Sequence, residues 1–560
     1  MSIKSLRHEL AHPRTSVQRC LLGIVGGCSA ALLIIIFRLT LEGIQSFYLT
    51  HSDNFTTLAP ELRFILPIVG ALVILFFAYL TRFHHYRMGI PFVIHRVKQH
   101  YGHIPWRSSL NQFIGGIVAL ASGFSVGREG PSVHLGAAGS SFLGQWLKLP
   151  YNSIRILAGC GIAAGISASF NTPFAAVIFV MEVVLREYKI HLFIPVMLAA
   201  ACGSMLTRLV FGEFHEMDFL RFTTLNHWIY LYLVLFGIAL GGIASLFNSQ
   251  LMRIILLFRP LGMASRLLIA GVVTGAIGYL LPEAMGSGIS AINVVMSSPE
   301  NLSLLLAILL GKFALTIIAI GLGVPGGIIG PIFGLGVLVG AILVMPLGVF
   351  IDNIHDYTSS FALLGMAGLM AAILSAPLAA LSAVMELSFN PQVILPAILV
   401  IVPAYVTSTQ FLGNSSIFIR QMQYQKLAYK VSSVTEDLQK TGVLAVMNAD
   451  LKIFHDVPDT FYTQYINQSS NQLVVQAQDF EIGQQYALVE PNLAIAPHQG
   501  HAVKFTSMQG VPHQATLAEV YQILQGNRSG AVYVYEHTPD DIVGIVTWEV
   551  LRNHLHREQY

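Results

Sequence analysis

The chain has 560 residues, of which 54% are apolar and 11% are charged, and its mean hydropathy is +0.65. Soluble globular chains carry about 25% charged residues, so these values disfavour a soluble enzyme, and they exclude disordered, collagen-like and disulfide-stapled chains. The first 420 residues hold 23 basic and 15 acidic residues, and the last 140 hold 8 and 14. We therefore expect a membrane domain of net charge +8 followed by a small polar domain of net charge −6.

Long uncharged runs predict the membrane-spanning helices, each of which needs about 20 mostly apolar residues. The runs without Asp, Glu, Lys or Arg include Leu21–Phe37, Phe64–Thr81, Ser108–Gly127, Ile156–Met181, Phe222–Met252, Tyr357–Met385 and Leu387–Ile419. The longest run, Phe313–Ile351, has 39 residues and is interrupted by Pro325, Gly326, Gly327 and Pro331. Such breaks predict helices that are interrupted at membrane depth and line a cavity.

The N-terminal residues predict the orientation of the chain. Residues 1–19 hold four basic residues against Glu9, so we expect a cytoplasmic N-terminus. The run Leu21–Phe37 is longer than the core of a signal peptide and no cleavage site follows it, so we expect it to remain as a membrane helix.

The membrane part repeats itself at an offset of about 200 residues. The segments that align are Gly127–Pro131 with Gly327–Pro331, Gly89-Ile90 with Gly288-Ile289, Pro173 with Pro377, and Met181-Glu182 with Met385-Glu386. We expect two related halves, about 20–215 and 225–420. In transporters, such repeats place the substrate site at their interface, where broken helices direct positive N-termini at an anion.

The segment Gly127-Arg128-Glu129-Gly130-Pro131 is the strongest site candidate. Glycine lets backbone amides approach a ligand, proline suits the first turn of a helix, and free N–H groups at that end bind anions. We expect Gly127, Arg128, Gly130 and Pro131 to form an anion site. The Glu129 carboxylate would compete with the anion for the same donors, so Glu129 is interpreted as a gate. The alternative is that Arg128 and Glu129 cap a surface loop.

The second break, Gly327-Ile328-Ile329-Gly330-Pro331, lies at the matched position of the other half. We expect Gly327, Ile328, Ile329 and Gly330 to bind the anion through their amides. Close packing of small residues between helices is the alternative interpretation.

Two weaker breaks and an isolated cation accompany these segments. Met88, Gly89 and Ile90 precede a proline and are candidate anion-binding residues, and Gly286–Ser290 is a break of the same kind. Lys312 stands beside the longest apolar run. It either adds positive potential to the pathway or extends to a lipid headgroup, and both interpretations stay open.

These motifs together resemble the CLC family of chloride channels and chloride/proton exchangers over about residues 18–425. The segments that carry the resemblance are Gly127–Pro131, Gly327–Pro331, Gly286–Ser290, Phe170–Pro173 with Met181-Glu182, and Ser416–Phe418. The resemblance implies an all-α polytopic membrane fold of inverted repeats with many tilted, broken helices. It also implies a homodimer with one chloride pathway in each subunit, and Glu129 as the external gating glutamate.

Three positions depart from the family pattern. Met88 stands where the family usually has a serine, Ile329 where it has a phenylalanine, and Phe418 where it has the inner pore tyrosine. The resemblance therefore implies that anion contact at the central site depends on backbone amides. It leaves the selectivity between chloride and nitrate or other small anions open.

Proton coupling depends on position 183. Many exchangers of the family carry a glutamate there, but Val183 cannot relay protons. The sequence therefore favours channel-like or weakly coupled chloride transport, with strict chloride/proton antiport as the alternative. Met88 resembles the fluoride-exporting branch of the family, so fluoride export is a further alternative.

The last part of the chain, 430–560, predicts a small cytoplasmic α/β domain. Leu517–Leu524 is predicted to be helical, Gly530–Tyr535 and Asp541–Thr547 to be strands, and Trp548–His556 to be a closing helix. This order resembles half of a CBS pair. The aspartate that usually holds a ribose there is replaced by Val550, so we expect a structural or dimerising domain rather than a nucleotide sensor.

Other function classes find little support. His215-Glu216-Met217-Asp218-Phe219 lacks the second histidine of a zinc protease, and neither a nucleophile elbow nor a P-loop is found, so we expect no catalytic site, metal or cofactor. A sodium-coupled organic-anion carrier could share the repeats but would not need the segment at 127–131. The acidic tail does not favour nucleic acid. We expect a multi-pass protein of a bacterial inner membrane with both termini cytoplasmic.

Overall fold

Apolar α-helices dominate the computed structural model of the chain. The described residues are 3–83, 88–212, 222–223, 225–226, 228–349, 354–427, 433–455, 457–458, 461–462, 465, 472–480, 483–491 and 503–557. Within these ranges, nine helical stretches are long and apolar enough to cross a membrane. They are Val17–Gln45, Pro60–Leu80, Tyr151–Phe170, Ile190–Phe211, Ile229–Leu257, Met263–Leu280, Leu302–Leu322, Ile329–Val349 and Pro391–Phe411. The structure confirms the predicted polytopic helical fold.

The helices are numbered α1 to α21 along the chain. They are α1 (Ile3–Ala11), α2 (Val17–Gln45), α3 (Pro60–Leu80), α4 (Gly89–Gln99), α5 (Trp106–Ala121), α6 (Glu129–Trp146), α7 (Tyr151–Phe170), α8 (Pro173–Phe179), α9 (Ile190–Phe211), α10 (Ile229–Leu257), α11 (Met263–Leu280), α12 (Ile289–Ser297), α13 (Leu302–Leu322), α14 (Ile329–Val344), α15 (Thr358–Leu374), α16 (Pro377–Ser388), α17 (Ile394–Val406), α18 (Ile417–Tyr424), α19 (Ser433–Leu438), α20 (Leu517–Leu524) and α21 (Trp548–Arg557). π-helical segments at Val180–Leu185 and Thr407–Phe411 continue α8 and α17.

The two halves of the membrane part repeat their helix boundaries. α5 and α13 each end before a glycine in the left-handed conformation, Gly123 at φ +80° and Gly323 at φ +88°. After each glycine the chain is non-helical, and α6 and α14 then begin exactly 200 residues apart. Because only glycine adopts this φ without strain, the matched glycines end both helices at the same point of the repeat.

Small residues bring the helices of each half into close contact. A Cβ added to Gly136 of α6 would overlap the backbone of Gly161 in α7, and one added to Gly336 of α14 would overlap the backbone of α15 near Gly365. Small residues at helix contacts let backbones approach closely within a membrane. The repeat is therefore a repeat of packing as well as of sequence.

Residues 20–143 and 156–429 form one compact unit. The other unit comprises residues 1–19, 144–155 and 430–560. No feature of the sequence indicated that 144–155 belongs with the termini.

The second unit contains two sheets. The first has the strand order β1 (Leu451–His455), β2 (Leu473–Phe480), β3 (Gly483–Pro491) and β4 (Val503–Ser507), with β1 and β2 parallel and the others antiparallel. The second has the order β5 (Gln509–Pro512), β6 (Ala531–Tyr535) and β7 (Ile542–Thr547), with β5 and β6 parallel. The predicted α/β tail is confirmed, and α20, β6, β7 and α21 lie within two residues of their predicted bounds.

Hydrogen bonds within this unit join its three stretches of chain. The Asn152 side-chain amide donates to Ala11 O at 3.0 Å and to Lys440 O at 3.0 Å. Tyr151 N donates to Gln514 O at 2.8 Å. The Lys4 ammonium lies 2.5 Å from the Glu536 carboxylate. The N-terminal helix α1 is therefore part of the tail unit.

Candidate functional site

The two breaks predicted from the repeat meet in space. Gly127 N donates to Gly327 O at 2.7 Å, and Gly327 N donates to Gly127 O at 2.6 Å. The two segments run antiparallel at this bridge, as inverted repeats require. α6 begins at Glu129 and α14 at Ile329, each two residues after its bridge glycine. The first turns of both helices, whose N–H groups lack intrahelical acceptors, therefore lie beside one another.

The Glu129 carboxylate lies against this bridge. Its side chain is buried, with 3% of its surface exposed. A Cβ added to Gly127 or to Gly327 would overlap its carboxylate oxygens, and one added to Gly330 would lie 3.0 Å from Oε1. The carboxylate is thus surrounded by backbone from both halves, and glycine is required where the backbone approaches it.

Gly130 and Pro131 set the close approach of the two breaks. A Cβ on Gly130 would overlap the carbonyl of Gly326. Pro131 packs against Gly116 of α5, where an added Cβ would lie 2.8 Å from the proline Cγ. Both residues therefore hold the start of α6 in place.

A cavity of about 530 Å³ borders the Glu129 side chain, and we name it the Glu129 cavity. Its lining includes Arg128, Glu129, Ser287, Gly330 and Phe333. The Arg128 guanidinium carbon lies 4.7 Å from the centre of the Phe170 ring, which also lines this cavity. Arg128 and Glu129, both predicted to be site residues, therefore line the same cavity.

A second cavity, of about 390 Å³, is named the Met88 cavity. It brings together most of the remaining predicted anion-binding residues, namely Met88, Gly89, Ile90, Gly327, Ile328 and Phe418. Both cavities therefore border the broken segments: Glu129 and Gly330 line the first, and Gly327 and Ile328 line the second. Ile329 lines neither of these cavities. It lines a small apolar cavity of about 50 Å³ that Glu129 also lines.

The weaker breaks are also starts of helices. Gly89, at φ +77°, begins α4 after the extended residue Met88. Gly288, at φ +125°, precedes α12. The Asp53 carboxylate accepts hydrogen bonds from Ser287 N at 2.9 Å and Ser287 Oγ at 2.7 Å. Asp53 could not be predicted as a partner of this break, because it is far from the break along the chain.

Lys312 lies in the core and does not extend to a lipid headgroup. Its side chain is fully buried, and Nζ donates to Gly286 O at 2.5 Å and to Ala284 O and Met285 O at 3.3 Å. Lys312 is not among the lining residues of the cavities described above. Its ammonium holds the chain segment that leads into α12.

Val183 and Phe418 have different surroundings. Val183 is buried in the π-helical segment Val180–Leu185 and lines none of the cavities described above. Phe418, in the first turn of α18, is 2% exposed and lines the Met88 cavity. Neither Met88 nor Phe418 supplies a hydroxyl to that cavity.

Two glutamates, one in each half, form hydrogen bonds with a helix of the opposite half. Glu182 accepts hydrogen bonds from Leu378 N at 3.1 Å and Ala379 N at 2.7 Å, in the first turn of α16. Glu386 accepts bonds from Phe174 N at 2.9 Å and Ala175 N at 2.7 Å, in the first turn of α8. Each carboxylate thus caps the N-terminus of the other half's helix.

Gln112 is among the cavity-lining residues that the sequence did not predict. Gln112 of α5 lines the Met88 cavity. The available signal was its polarity within the uncharged run Ser108–Gly127, exactly 200 residues before Lys312. The segment 215–219, which was weighed as a metal site, lies outside the described residues.

The sequence of the chain matches a known protein family and several related proteins. The family described as voltage gated chloride channel matches residues 69–409. The H(+)/Cl(-) exchange transporter ClcA of Salmonella agona is 31% identical over 325 residues, which are 56% of this chain and 68% of that protein. A putative chloride channel protein, ClcB-like, of Ralstonia nicotianae is 28% identical over 422 residues, which are 72% of this chain and 96% of that protein.

A solved structure shares the fold. The crystal structure of a slow cyanobacterial Cl−/H+ antiporter superimposes with a TM-score of 0.66 at 23% identity, over 74% of this chain and 99% of that one. At this identity the likeness shows the fold alone. It agrees with the arrangement of inverted repeats found here.

Proposed function

Because the chain belongs to the CLC family of anion-transporting membrane proteins, we propose that it carries chloride along a pathway gated by Glu129. The observation that carries this proposal is the position of the Glu129 carboxylate, which lies against both bridge glycines at the starts of α6 and α14. Free N–H groups at helix N-termini stabilise negative charge, whether it belongs to a carboxylate or to chloride.

Glu129 can act as a gate because its carboxylate and chloride compete for the same space at the bridge. While the ionised Glu129 side chain lies at the bridge, chloride cannot occupy the same space. Protonation removes the negative charge that the helix N-termini attract, so the side chain can leave and chloride can take its position. Chloride would then pass between the Met88 cavity and the Glu129 cavity.

We propose that coupling to protons is weak or absent. Val183 is apolar and buried, so it cannot hand protons towards Glu129. The second candidate is strict chloride/proton exchange. It is favoured by the likeness to proteins named as exchange transporters, and it would need a proton route that avoids Val183.

The test is a flux measurement on purified protein in chloride-loaded liposomes, with chloride efflux and internal pH recorded together. The proposal predicts chloride efflux that needs a potassium shunt and moves few or no protons. Proton movement against its own gradient would instead establish exchange. Fluoride flux without chloride flux would overturn the chloride proposal and make Met88 the residue that decides selectivity.

We propose a structural role for the tail. Val550, which stands where a ribose-binding aspartate would be expected, packs against the apolar core around β6 and β7. An apolar side chain in this position offers no hydrogen bond to a nucleotide. Chloride efflux should therefore be the same with and without millimolar ATP on either side of the membrane, and a clear ATP effect would contradict this role.

A further inference from the structure

Gln112 presents a buried amide that the fold does not use. Its side chain is fully buried in α5, and neither Nε2 nor Oε1 has a hydrogen-bond partner among the described residues. An amide that is buried without hydrogen-bond partners destabilises the folded state. Such a group is expected to have a partner that the protein itself does not supply.

The position of Gln112 indicates where that partner lies. The residue lines the Met88 cavity together with Gly89, Gly327 and Phe418. Gly116, one helical turn further along α5, packs against Pro131. Since residues four apart share a helix face, Gln112 lies on the face of α5 that meets the anion-binding segment.

The matched position in the other half of the repeat makes structural contacts that Gln112 does not make. Lys312, exactly 200 residues later, gives its ammonium protons to three backbone carbonyls at 284–286. Gln112 makes no corresponding bonds among the described residues. The same position therefore holds the backbone in one half, while in the other it leaves two N–H donors at a cavity.

The charge of the cavity selects an anion. Its lining holds Arg259, Arg266 and Lys426, and none of the described lining residues is acidic. Such a cavity concentrates anions. The lining also contains neutral side-chain donors at Gln112, Gln421, Tyr424 and Gln425. Of these four, Gln112 is the one whose amide is buried without a hydrogen-bond partner among the described residues.

We propose that the Gln112 side chain binds a partly hydrated halide in the Met88 cavity. The Nε2 hydrogens donate to the anion, and Oε1 accepts from a water molecule that hydrates it. This inference rests on the proposed function, because it takes chloride as the transported ion.

The first test compares Gln112→Met with the control Asn111→Leu. Asn111 is also a buried amide of α5, but it is bonded to Thr81 Oγ1 at 2.8 Å and to Arg107 O at 2.9 Å. Calorimetric titration of the purified protein with chloride should show about tenfold weaker binding for Gln112→Met, since one hydrogen-bonded contact to a charged ligand is lost. Binding to Asn111→Leu should be unchanged.

A second variant keeps the test decisive if the first is poorly folded. Gln112→Glu preserves the shape but places a carboxylate at the anion. Chloride binding should be lost at pH 7.5 and recover on acidification, as the new carboxyl group is protonated. Because protonation of Glu129 also changes chloride access, the wild-type protein is titrated over the same pH range. A merely structural role of Gln112 would give Gln112→Glu the wild-type pH profile, with no additional loss of binding at pH 7.5.

The outcomes separate the two proposals. Chloride binding by both Gln112 variants with the affinity and the pH dependence of the wild-type protein would show that only water occupies the site, and would overturn the inference. If chloride flux persists in liposomes, the proposed function survives that result. Absence of chloride flux from the wild-type protein would contradict the proposed function, whereas a loss of binding in Gln112→Met would still support the anion site.

Discussion

At the scale of single residues, the backbone supplies hydrogen-bond partners to Lys312 and Asp53 and lies against the Glu129 carboxylate. Lys312 is held by carbonyl oxygens, Asp53 by Ser287 N–H and hydroxyl groups, and Glu129 lies at the helix N-termini beside the bridge. Backbone groups do not depend on the identity of their side chains. This explains how the site can keep its geometry with Met88 and Phe418 in place of hydroxyl-bearing residues.

Lys312→Met should lower the free energy of unfolding by about 3 kcal/mol. The variant leaves three carbonyl oxygens at 284–286 without their donor and removes a cation that attracts Asp53. Unpaired buried groups are costly. Thermal unfolding in detergent measures the effect. Arg253→Met, which removes an exposed cation from α10, is the control. Equal stability of Lys312→Met and the wild type would contradict this structural role.

At the scale of elements, α8 and α16 are tied together by exchanged caps. Both helices begin with a proline, which suits the first turn but leaves the next N–H groups to find acceptors. Glu182 and Glu386 supply these acceptors from the opposite half. The exchange makes each of these helices dependent on the other half of the repeat.

Glu182→Ala and Glu386→Ala should each lower the stability by about 1–2 kcal/mol, the usual cost of losing a helix cap. Unfolding in detergent provides the measurement. Glu61→Ala is the control, because Glu61 lies exposed in the first turn of α3. A change no larger than that of the control in both variants would mean that the exchanged caps do not stabilise the fold.

At the scale of the whole molecule, the tail unit is completed by distant parts of the chain. His513 lies beside the residues that connect the N-terminus to this unit. The Nδ1 atom of His513 lies 3.1 Å from Glu536 O, and the Glu536 carboxylate forms ion pairs with Lys4 and Arg7. Burial lowers the pKa of His513, and the positive charge of Arg7 lowers it further, although the backbone carbonyls of Lys148 and Glu536 oppose this. The folded unit therefore favours neutral His513.

The tail unit should become less stable as the pH falls from 7.5 to 5.5. Because the unfolded chain binds the His513 proton more tightly than the folded unit does, stability is greatest above the ordinary histidine pKa of about 6.5 and is lost below it. Hydrogen-exchange protection of β6, corrected for intrinsic rates, should show this loss. His513→Gln should flatten the profile, whereas His537→Gln, at an exposed histidine, should not. The same profile in all three proteins would contradict the assignment.

Features that depend on short stretches of sequence, or on the internal repeat, could be predicted from the sequence. The uncharged runs, the glycine and proline breaks and the tail helix α20 follow from short-range patterns, and the structure agrees with them. The meeting of Gly127 with Gly327 was predictable because the repeat marks both segments. The contacts of Lys312 and Asp53 and the inclusion of 144–155 in the tail unit were not predictable. They depend on residues far apart in the chain that share no pattern.

The most direct test of the account is chloride efflux from liposomes that contain Glu129→Ala, measured from pH 7.5 to pH 4.5. In the wild-type protein, efflux should increase as Glu129 is protonated. The variant has no carboxylate to occupy the bridge, so its efflux should persist and vary little with pH. A folded Glu129→Ala protein that carries no chloride, or that keeps the pH dependence of the wild type, would contradict the role of Glu129 as the gate.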